Sequence, residues 1–387
     1  MSTPRVALVG VHGYGARHLE VLLPRHRDGA LDLVGVADPR IDEPGTGPLP
    51  ASTARHADLG ALLSAQEPDV VVVSTPLHTH AALAQDAMRA GAHVLVEKPP
   101  TSDLPSFEAL LRTATETGRS CQVGFQSLGS AAVTHVRARV AEGRIGEVTG
   151  YSAAGCWVRP RSYYRRTPWA GHRVLDGHVV GDGVLTNPLS HAVATVLALA
   201  GARRVEDVAE VQCDLFHVND IEADDTSTAR IRLVAGPDVL AAVTLAAAER
   251  GEPWVRVEGS QGRITLYYTL DVAVEERPGR PPLVTRHTRV NLLDDLLAAV
   301  SEGRPPVSAL EDSGGFVRVL DAVVTGTPPR AVDGRWTRTV GLADGDERVE
   351  LPGVEEAVHL AVERRALFSE LSLPWTARPA DRVAGPR

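Results

Sequence analysis

A glycine-rich turn near the start of the chain joins an apolar run to a helix-like segment. The run Val6–Val9 leads into Gly10-Val11-His12-Gly13-Tyr14-Gly15. Glycines at such a turn let backbone N–H groups approach a pyrophosphate at the N-terminus of a helix. The dinucleotide-binding pattern GxGxxG has its middle glycine where this chain has His12, one residue before Gly13. The turn therefore indicates a dinucleotide site, and a plain strand-to-helix turn is the alternative.

An acidic residue follows this turn at a distance that suits ribose binding. Asp38 ends the second apolar run, 23 residues after Gly15. A carboxylate about 20 residues beyond the glycines is typical of a partner for the ribose 2′-hydroxyl, and it repels a 2′-phosphate. Arg40 could instead hold that phosphate, and Asp38 is also a common turn residue before proline. We expect NAD, with NADP as the alternative.

Short, solidly apolar runs alternate with segments of helical character through the first 125 residues. Runs without polar interruption are typical of strands buried on both faces, as in a parallel sheet covered by helices. Strands and helices that alternate at this spacing predict right-handed βαβ units. We predict an α/β nucleotide-binding domain over residues 1–125, with strands at Val6–Val9, Leu33–Ala37, Val70–Val73, Val94–Val96 and Cys121–Phe125.

The pattern changes after Gln126. Alternating apolar and polar residues between 228 and 268 are typical of antiparallel strands with one face in water. An irregular stretch, Trp157–Gly183, precedes them. We predict a second, α+β domain over residues 126–387 that includes a C-terminal helical tail with a frayed end after Trp375. Its strands are expected at Thr228–Leu233, Val239–Ala246, Val255–Glu258 and Arg263–Tyr268, and its helices at Ala132–Glu142, Asn187–Leu199, Leu292–Ser301, Ser313–Thr325 and Val354–Phe368.

Two segments of the first domain resemble the Gfo/Idh/MocA family of oxidoreductases, which includes glucose–fructose oxidoreductase and inositol dehydrogenase. They are Ser74-Thr75-Pro76 with His80, and Ala90–Pro99, which ends in Glu97-Lys98-Pro99. The Glu-Lys-Pro motif after a strand is the most specific mark. The resemblance continues at Val123–Phe125, Gly143–Gly146 and Gly259–Gly262, and it leaves only the tail from Val354 unmatched.

The resemblance implies a Rossmann domain followed by a domain with a large, mostly antiparallel open sheet, with nicotinamide at their junction. It implies that Lys98 is catalytic, that Glu97 positions the lysine or the nicotinamide ribose, and that Pro99 is cis. A lysine ammonium can exchange a proton with the reacting oxygen when burial or a nearby positive charge lowers its pKa. Without this context Lys98 would be a surface cation. The predicted cofactor-binding residues are Gly10, His12, Gly13, Tyr14, Gly15, Asp38, Arg40, Thr75, Pro76, His80, Glu97 and Lys98.

A second catalytic segment corresponds to Gly183–His191. Many members of the family have an Asp and, four residues later, a His on one helix face, and this chain has Asn187 and His191 there. We predict that His191 handles a proton and that Asn187 binds a substrate hydroxyl without carrying charge. The alternatives are a hydrogen-bonded core histidine and an N-cap before Pro188.

The stretch Arg159–His178 is rich in arginine and aromatic residues. Guanidinium forks and aromatic faces suit sugar rings and anionic groups, so we predict that Arg159, Tyr164 and Trp169 bind substrate, with a solvent-facing basic loop as the alternative. An acidic cluster at His217–Asp225 has no metal-binding spacing that we recognise, and we expect no metal.

Composition narrows the class of protein. A formal net charge of −9 disfavours nonspecific nucleic-acid binding. Three cysteines without a CxxC pair, and a start without a signal peptide, predict a cytoplasmic protein. The most apolar later stretch, Ala192–Ala200, is too short to span a membrane. An open sheet face that needs covering predicts a homodimer or homotetramer.

These expectations combine into one function and two alternatives. We predict an NAD(P)-dependent oxidoreductase that transfers a hydride between nicotinamide and a sugar, cyclitol or related polyol. A redox-neutral glycosidase or lyase with tightly held NAD is the first alternative, because Asn187 replaces the family Asp. A non-catalytic dinucleotide-sensing regulator is the second, and the presence of Lys98 and His191 argues against it.

Overall fold

The computed structural model describes residues 3–43 and 48–377 of the chain. The strands are β1 (Arg5–Val9), β2 (Asp32–Ala37), β3 (Ala54–His56), β4 (Val70–Val73), β5 (His93–Val96), β6 (Cys121–Val123), β7 (Val148–Cys156), β8 (Val174–Leu175), β9 (His178–Val179), β10 (Val208–His217), β11 (Thr226–Leu233), β12 (Val239–Thr244), β13 (Trp254–Gly259), β14 (Gly262–Tyr267), β15 (Val272–Glu276), β16 (Leu283–Arg286), β17 (Arg330–Ala331), β18 (Arg338–Gly341) and β19 (Glu347–Glu350). The helices are α1 (Gly15–Arg27), α2 (Leu59–Gln66), α3 (His80–Arg89), α4 (Leu104–Thr117), α5 (Ala131–Ala141), α6 (Ser190–Ala200), α7 (Leu292–Glu302), α8 (Gly314–Thr325) and α9 (Val354–Arg364).

Strands β1–β6 form a parallel sheet in the order β3-β2-β1-β4-β5-β6. This is the order of a Rossmann fold, in which the strand order reverses between β1 and β4. Every residue of β4 is buried, because helices cover both faces of the sheet. The predicted α/β class is confirmed. Ligands of such sheets bind beyond the carboxyl ends of the strands, where Gly10, Asp38 and Lys98 follow β1, β2 and β5.

The chain divides into two compact units, and the first is discontinuous. It contains the residues up to Gly129 together with Val290–Ser313. The prediction from the sequence had assigned Val290–Ser313 to the second domain, residues 126–387. The reason for the difference is packing: α7 buries Leu292, Leu293 and Leu296 in the same core as β1 and β2. A hydrogen bond of 2.7 Å from Arg25 Nε to Asp294 Oδ1 joins α7 to α1.

The second unit contains Ser130–Arg289 and the residues from Gly314 onward. Its large sheet has the order β16-β15-β14-β13-β7-β12-β11-β10-β17. Neighbouring strands are antiparallel except for the pairs β7–β12 and β10–β17. The mostly antiparallel sheet that was predicted is therefore present.

The centre of this sheet is covered on both faces, which corrects the expectation of one solvated face. Every residue of β12 is buried. Ala154 of β7 belongs to the core formed with α9, whereas a side chain at the next residue, Gly155, would meet Leu189 just before α6. Successive residues of a strand point to opposite faces, so α6 and α9 lie on opposite sides of the sheet.

The C-terminal segment is part of the core of the second unit. The predicted helix Val354–Phe368 ends at Arg364, and the rings of Phe216, Phe368 and Trp375 pack together beyond it, with centroids 5.1–6.5 Å apart. The frayed end predicted after Trp375 lies almost entirely outside the described residues. Within residues 3–43 and 48–377, no helix has both the length and the apolar character needed to cross a membrane.

Candidate active site

The glycine turn after β1 is too tightly packed for side chains at two of its positions. Gly10 has φ of +84°, and a Cβ there would lie 2.2 Å from the carbonyl oxygen of Ser74. A Cβ at Gly15 would lie 1.9 Å from the carbonyl oxygen of Gly10. The N-cap of α1, Tyr14, makes no side-chain capping bond, and the first turn of α1 has no acidic residue. A helix N-terminus that a ligand can approach closely, and that has no acidic side chain in its first turn, suits the binding of a pyrophosphate.

Asp38 links this turn to the end of β2. Its Oδ2 accepts from the Val11 N–H at 3.0 Å and its Oδ1 from the Arg40 N–H at 2.9 Å, and the residue is 5% exposed. The Arg40 guanidinium lies 3.9 Å from the Asp38 carboxylate and 4.0 Å from that of Glu43. Two carboxylates beside Arg40 reduce its capacity to hold a 2′-phosphate, so the arrangement favours NAD.

The Glu-Lys-Pro motif follows β5, and the Lys98–Pro99 peptide bond is cis. Glu97 is buried, and its Oε2 accepts from the Lys98 N–H at 3.2 Å. Its Oε1 accepts from His18 Nε2 at 2.9 Å and from Gln126 Nε2 at 3.3 Å. Burial raises the pKa of Glu97, but the hydrogen bond from His18 and the charges of His18 and Lys98 outweigh burial and hold that pKa below its usual value. Glu97 is therefore an ionised anchor beside Lys98.

Sequence reasoning missed His18. The only signal was its place on α1, one turn after Gly15, and that spacing does not indicate which strand end it faces. The fold brings its ring to Glu97, and a second ring, that of Tyr14, meets it edge-on with centroids 5.6 Å apart. His18 is thus a positioning residue for the motif that holds Lys98.

Substitution of His18 by alanine is expected to lower kcat/KM about tenfold and to move the acidic limb of its pH profile upward. The change removes the hydrogen bond and charge that depress the pKa of Glu97, so Glu97 takes up its proton at a higher pH. The check is a pH profile of kcat/KM, with Glu20→Gln, an exposed change on the same helix, as control. An unshifted profile would contradict the role of His18.

His80 joins the loops that follow β4 and β5. Its Nδ1 lies 2.7 Å from the carbonyl oxygen of Pro99, and its Nε2 lies 2.8 Å from that of Thr75. Burial is the main cause that lowers the pKa of this histidine. Thr75 Oγ1 in turn lies 2.6 Å from Thr79 Oγ1. His80 is 2% exposed, so it acts on the site by fixing the backbone on both sides, including the residue after Lys98.

In the second unit, α6 begins at Ser190 with Leu189 as its N-cap, so the expectation that Asn187 starts or caps this helix is wrong. Asn187 lies in the preceding turn, where its N–H donates to the carbonyl of Gly183 at 2.9 Å. The two residues are therefore not on one helix face. His191 lies in the first turn of α6 and is half-buried, whereas the next eight residues are all buried.

A buried carboxylate that the sequence did not reveal holds Asn187 in place. Asp182 accepts from Asn187 Nδ2 at 2.5 Å, from the Gly171 N–H at 2.8 Å and from Arg166 Nη2 at 3.0 and 3.1 Å. Its side chain is 1% exposed. Because a carboxylate only accepts hydrogen bonds, the Asn187 amide must turn its nitrogen toward Asp182. Asp182 also joins the Trp157–Gly183 loop to the turn before α6.

Arg159, Tyr164 and Trp169 belong to a cluster in which guanidinium groups stack on aromatic rings. The Arg166 guanidinium lies 3.8 Å from the ring centroid of Tyr163 and 4.8 Å from that of Trp169. The Arg159 guanidinium lies 4.7 Å from the same Tyr163 ring. Burial raises the pKa of Tyr164 well above its usual value. A continuous series of contacts therefore runs from Asn187 through Asp182, Arg166 and Tyr163 to Arg159.

The acidic cluster at the start of β11 uses its carboxylates within the protein. Asp225 accepts from the N–H groups of Val218 and Asn219 and from two side chains, and Asp224 accepts from Ser227 Oγ at 2.8 Å. Burial, together with the charge of Asp225, raises the pKa of Asp224 from 3.8 to about 6. Asp224 is therefore a source of pH-dependent stability.

Asp224→Asn is expected to change the pH dependence of stability by about 3 kcal/mol. A carboxyl whose pKa is raised by folding stabilises the native state below pH 3.8 and loses that contribution as pH rises through about 6. Asparagine cannot ionise, so the stability of the variant increases relative to that of the wild type as the pH rises from 3.8 to about 6. Urea unfolding at pH 4 to 8 measures the difference. Asp220→Asn, an exposed neighbour, should show none, and a pH-independent difference for Asp224→Asn would contradict the prediction.

Two family models match this chain. The one described as "Oxidoreductase family, NAD-binding Rossmann fold", of Gfo/Idh/MocA, matches residues 4–125, and the Gfo/Idh/MocA C-terminal domain matches residues 133–265. Together they cover more than half of the chain. The chain belongs to the Gfo/Idh/MocA family. The resemblance in the sequence is thereby confirmed, and this Gfo/Idh/MocA protein is an NAD(P)-dependent oxidoreductase.

Named relatives extend over most of this Gfo/Idh/MocA chain. Inositol 2-dehydrogenase of Rhizobium meliloti (strain 1021) is 24% identical over 335 residues, which are 83% of this chain and 96% of that protein. The WlbA dehydrogenase of Bordetella pertussis, solved with NADH and UDP-GlcNAcA, has a TM-score of 0.66 at 22% identity and covers 84% of this chain and 96% of its own. KijD10, a 3-ketoreductase of Actinomadura kijaniata solved with NADP and TDP-benzene, has a TM-score of 0.69 at 22% identity, with coverages of 86% and 100%. At these identities the solved structures establish the fold. The alternative of a redox-neutral glycosidase or lyase is not favoured.

Proposed function

We propose that this chain is a dehydrogenase or reductase that acts on a CH–OH group of a sugar, cyclitol or related polyol. Nicotinamide, when bound, exchanges the hydride with the reacting carbon. The glycine turn and Asp38 provide the cofactor site, and relatives named as an inositol dehydrogenase and a 3-ketoreductase indicate the substrate class.

The observation that carries this proposal is that Lys98 is the only lysine in the chain, beside 39 arginines. An arginine keeps its proton at any working pH, whereas a lysine ammonium can lose one when its surroundings lower its pKa. Wherever a positive charge alone is enough, this chain uses arginine. Lys98, at the end of β5, is the one side chain of this chain that combines a positive charge of this kind with the capacity to exchange its proton.

In the oxidation direction the substrate O–H bond breaks and its proton passes to the neutral amine of Lys98, while the adjacent C–H bond gives up the hydride. His191 is the second candidate for handling the proton. Asn187, held by Asp182, binds a substrate hydroxyl but takes no proton.

A panel of sugars, cyclitols and sugar acids, combined with NAD or NADP, tests the proposal. Saturating NAD is expected to raise the melting temperature by about 2 °C or more, because a ligand that binds only the folded state stabilises it. At least one polyol should then produce NADH, followed by absorbance. If neither cofactor stabilises the protein, or if no compound is oxidised or its ketone reduced, the proposed function is wrong.

We also propose that the protein is cytoplasmic and forms a homodimer or homotetramer. Cys121, Cys156 and Cys213 are all free thiols, which suits a reducing compartment. The edge strand β16 exposes Leu283 and Val284, with 46% and 57% of their surface accessible, and such apolar surface favours subunit contact. Light scattering coupled to gel filtration measures the number of subunits, and a monomer would overturn this part.

A further inference from the structure

The carboxyl ends of β7 and β12 lie side by side in the second unit, because these two strands are parallel neighbours. The segments that follow them stay together: the Arg159 N–H donates to the carbonyl of Leu245, and the Ala247 N–H donates to that of Trp157, each at 3.2 Å. This pairing places Trp157 and Arg159 beside the turn that contains Arg250.

Two guanidinium groups contact the Trp157 ring here. The Cζ atoms of Arg159 and Arg250 each lie 4.9 Å from its centroid. Along residues 3–43 and 48–377, no carboxylate lies within ion-pair distance of either arginine. The carboxylate that does reach this turn, Glu355, accepts from the backbone N–H groups of Ala248 and Glu249. Both guanidinium groups therefore lie against one ring without a neutralising carboxylate among the described residues.

Other arginines of the same loop are paired. Arg161 Nη1 lies 2.8 Å from Glu347 Oε2, and Arg166 lies 3.0 Å from Asp182. The loop is thus not uniformly a solvent-facing basic surface. The contacts through Tyr163, Arg166 and Asp182 connect the unpaired positive charge of Arg159 to the proposed substrate residue Asn187.

The cluster also contains buried polar groups that have no partner in the described part of the chain. Trp157 Nε1 and Arg159 Nε are buried N–H groups without an acceptor in the described part of the chain, and the hydroxyls of Tyr164 and Thr167 are buried without a partner there. Buried polar groups are normally satisfied, so the two N–H groups of Trp157 and Arg159 without an acceptor indicate a missing acceptor. An anionic group supplies both the negative charge and the acceptor atoms.

We propose that Arg159 and Arg250, beside Trp157, bind an anionic substituent of the substrate, a carboxylate or a phosphate. The inference rests on the proposed function and narrows its substrate class from polyols in general to sugar acids, sugar phosphates or sugar nucleotides. Arginine suits this task because its planar fork matches carboxylate and phosphate oxygens.

The test compares neutral and anionic members of matched pairs: glucose with glucuronate, myo-inositol with its monophosphate, and glucose with UDP-glucose. The wild type is expected to have a KM about tenfold or more lower for the anionic member of at least one pair. Arg159→Gln and Arg250→Gln should remove that preference by raising KM for the anionic member alone, and Arg159→Lys should restore part of it. Arg286→Gln, an exposed change on β16, is the control and should keep the preference.

The pairs also identify the anion. A preference confined to glucuronate assigns a carboxylate, and one confined to the phosphorylated compounds assigns a phosphate. Equal KM values within every pair, or variants that behave like Arg286→Gln, overturn the subsite. Thermal shifts with the same compounds separate this result from the proposed function. Anions that stabilise the wild type but not Arg159→Gln support the subsite even if no compound is turned over, and turnover without discrimination supports only the function.

Discussion

Replacement of Lys98 by arginine is expected to reduce turnover by about 10³-fold, although the positive charge is kept. The reason is that a guanidinium does not release its proton at the pH at which the reaction runs. Lys98→Met removes both charge and proton and should be similarly inactive. The measurement is kcat with the best substrate of the panel, together with NADH binding by fluorescence, which should change much less than kcat because Asp38 and the glycine turn remain.

The lone lysine also permits a direct control. Selective isotope labelling of lysine gives one side-chain NMR signal, that of Lys98, because the chain has no other. The titration of this signal measures where Lys98 exchanges its proton. Turnover of Lys98→Arg within a few fold of wild type, or a Lys98 signal that does not titrate over the pH range in which the enzyme is active, would contradict the assigned role.

Replacement of Asp38 by alanine is expected to lower kcat/KM with NAD by about 100-fold and to lower kcat/KM with NADP much less. The variant loses the acceptor for the ribose hydroxyl and leaves the N–H groups of Val11 and Arg40 without their partner. It also removes the charge that repels a 2′-phosphate and leaves the Arg40 guanidinium nearby. The ratio of kcat/KM for the two cofactors is the quantity to measure.

Glu43→Gln is the matched control, because it removes the other carboxylate beside Arg40 and leaves the backbone contacts of Asp38 intact. It should change the cofactor ratio by only a few fold. A melting temperature for each variant separates loss of cofactor binding from loss of structure. A wild type that already prefers NADP, or an unchanged ratio in Asp38→Ala, would contradict the role given to Asp38.

The parallel sheet was predictable because its strands are uninterrupted apolar runs, and only a sheet covered on both faces requires such runs. The large sheet was predicted less completely. The sequence did not predict strand β10, and it predicted that one face of β12 is exposed to solvent. Helix α9 covers one face of β12, although it lies more than a hundred residues further along the chain. Periodicity within a strand carries no information about so distant a partner.

The candidate site, like the large sheet, was predicted only in part. The glycine turn and Asp38 were found because their spacing along the chain is fixed by one βα turn and one strand. His18 and Asp182 were not found, because each acts on a residue that only the fold brings near, Glu97 in one case and Asn187 in the other. Asn187 was misplaced as a helix cap because Pro188 suggested a helix start there, whereas the helix begins at Ser190.

The discontinuous first unit has a consequence for biosynthesis. Leu292, Leu293 and Leu296 complete the core around β1 and β2, yet the ribosome reaches them only after every strand from β7 to β16 has been made. The nascent Rossmann sheet is therefore expected to carry uncovered apolar surface while the second unit is synthesised, and to depend on chaperones during that interval. For the same reason an excised fragment that stops at Gly129 should be poorly soluble.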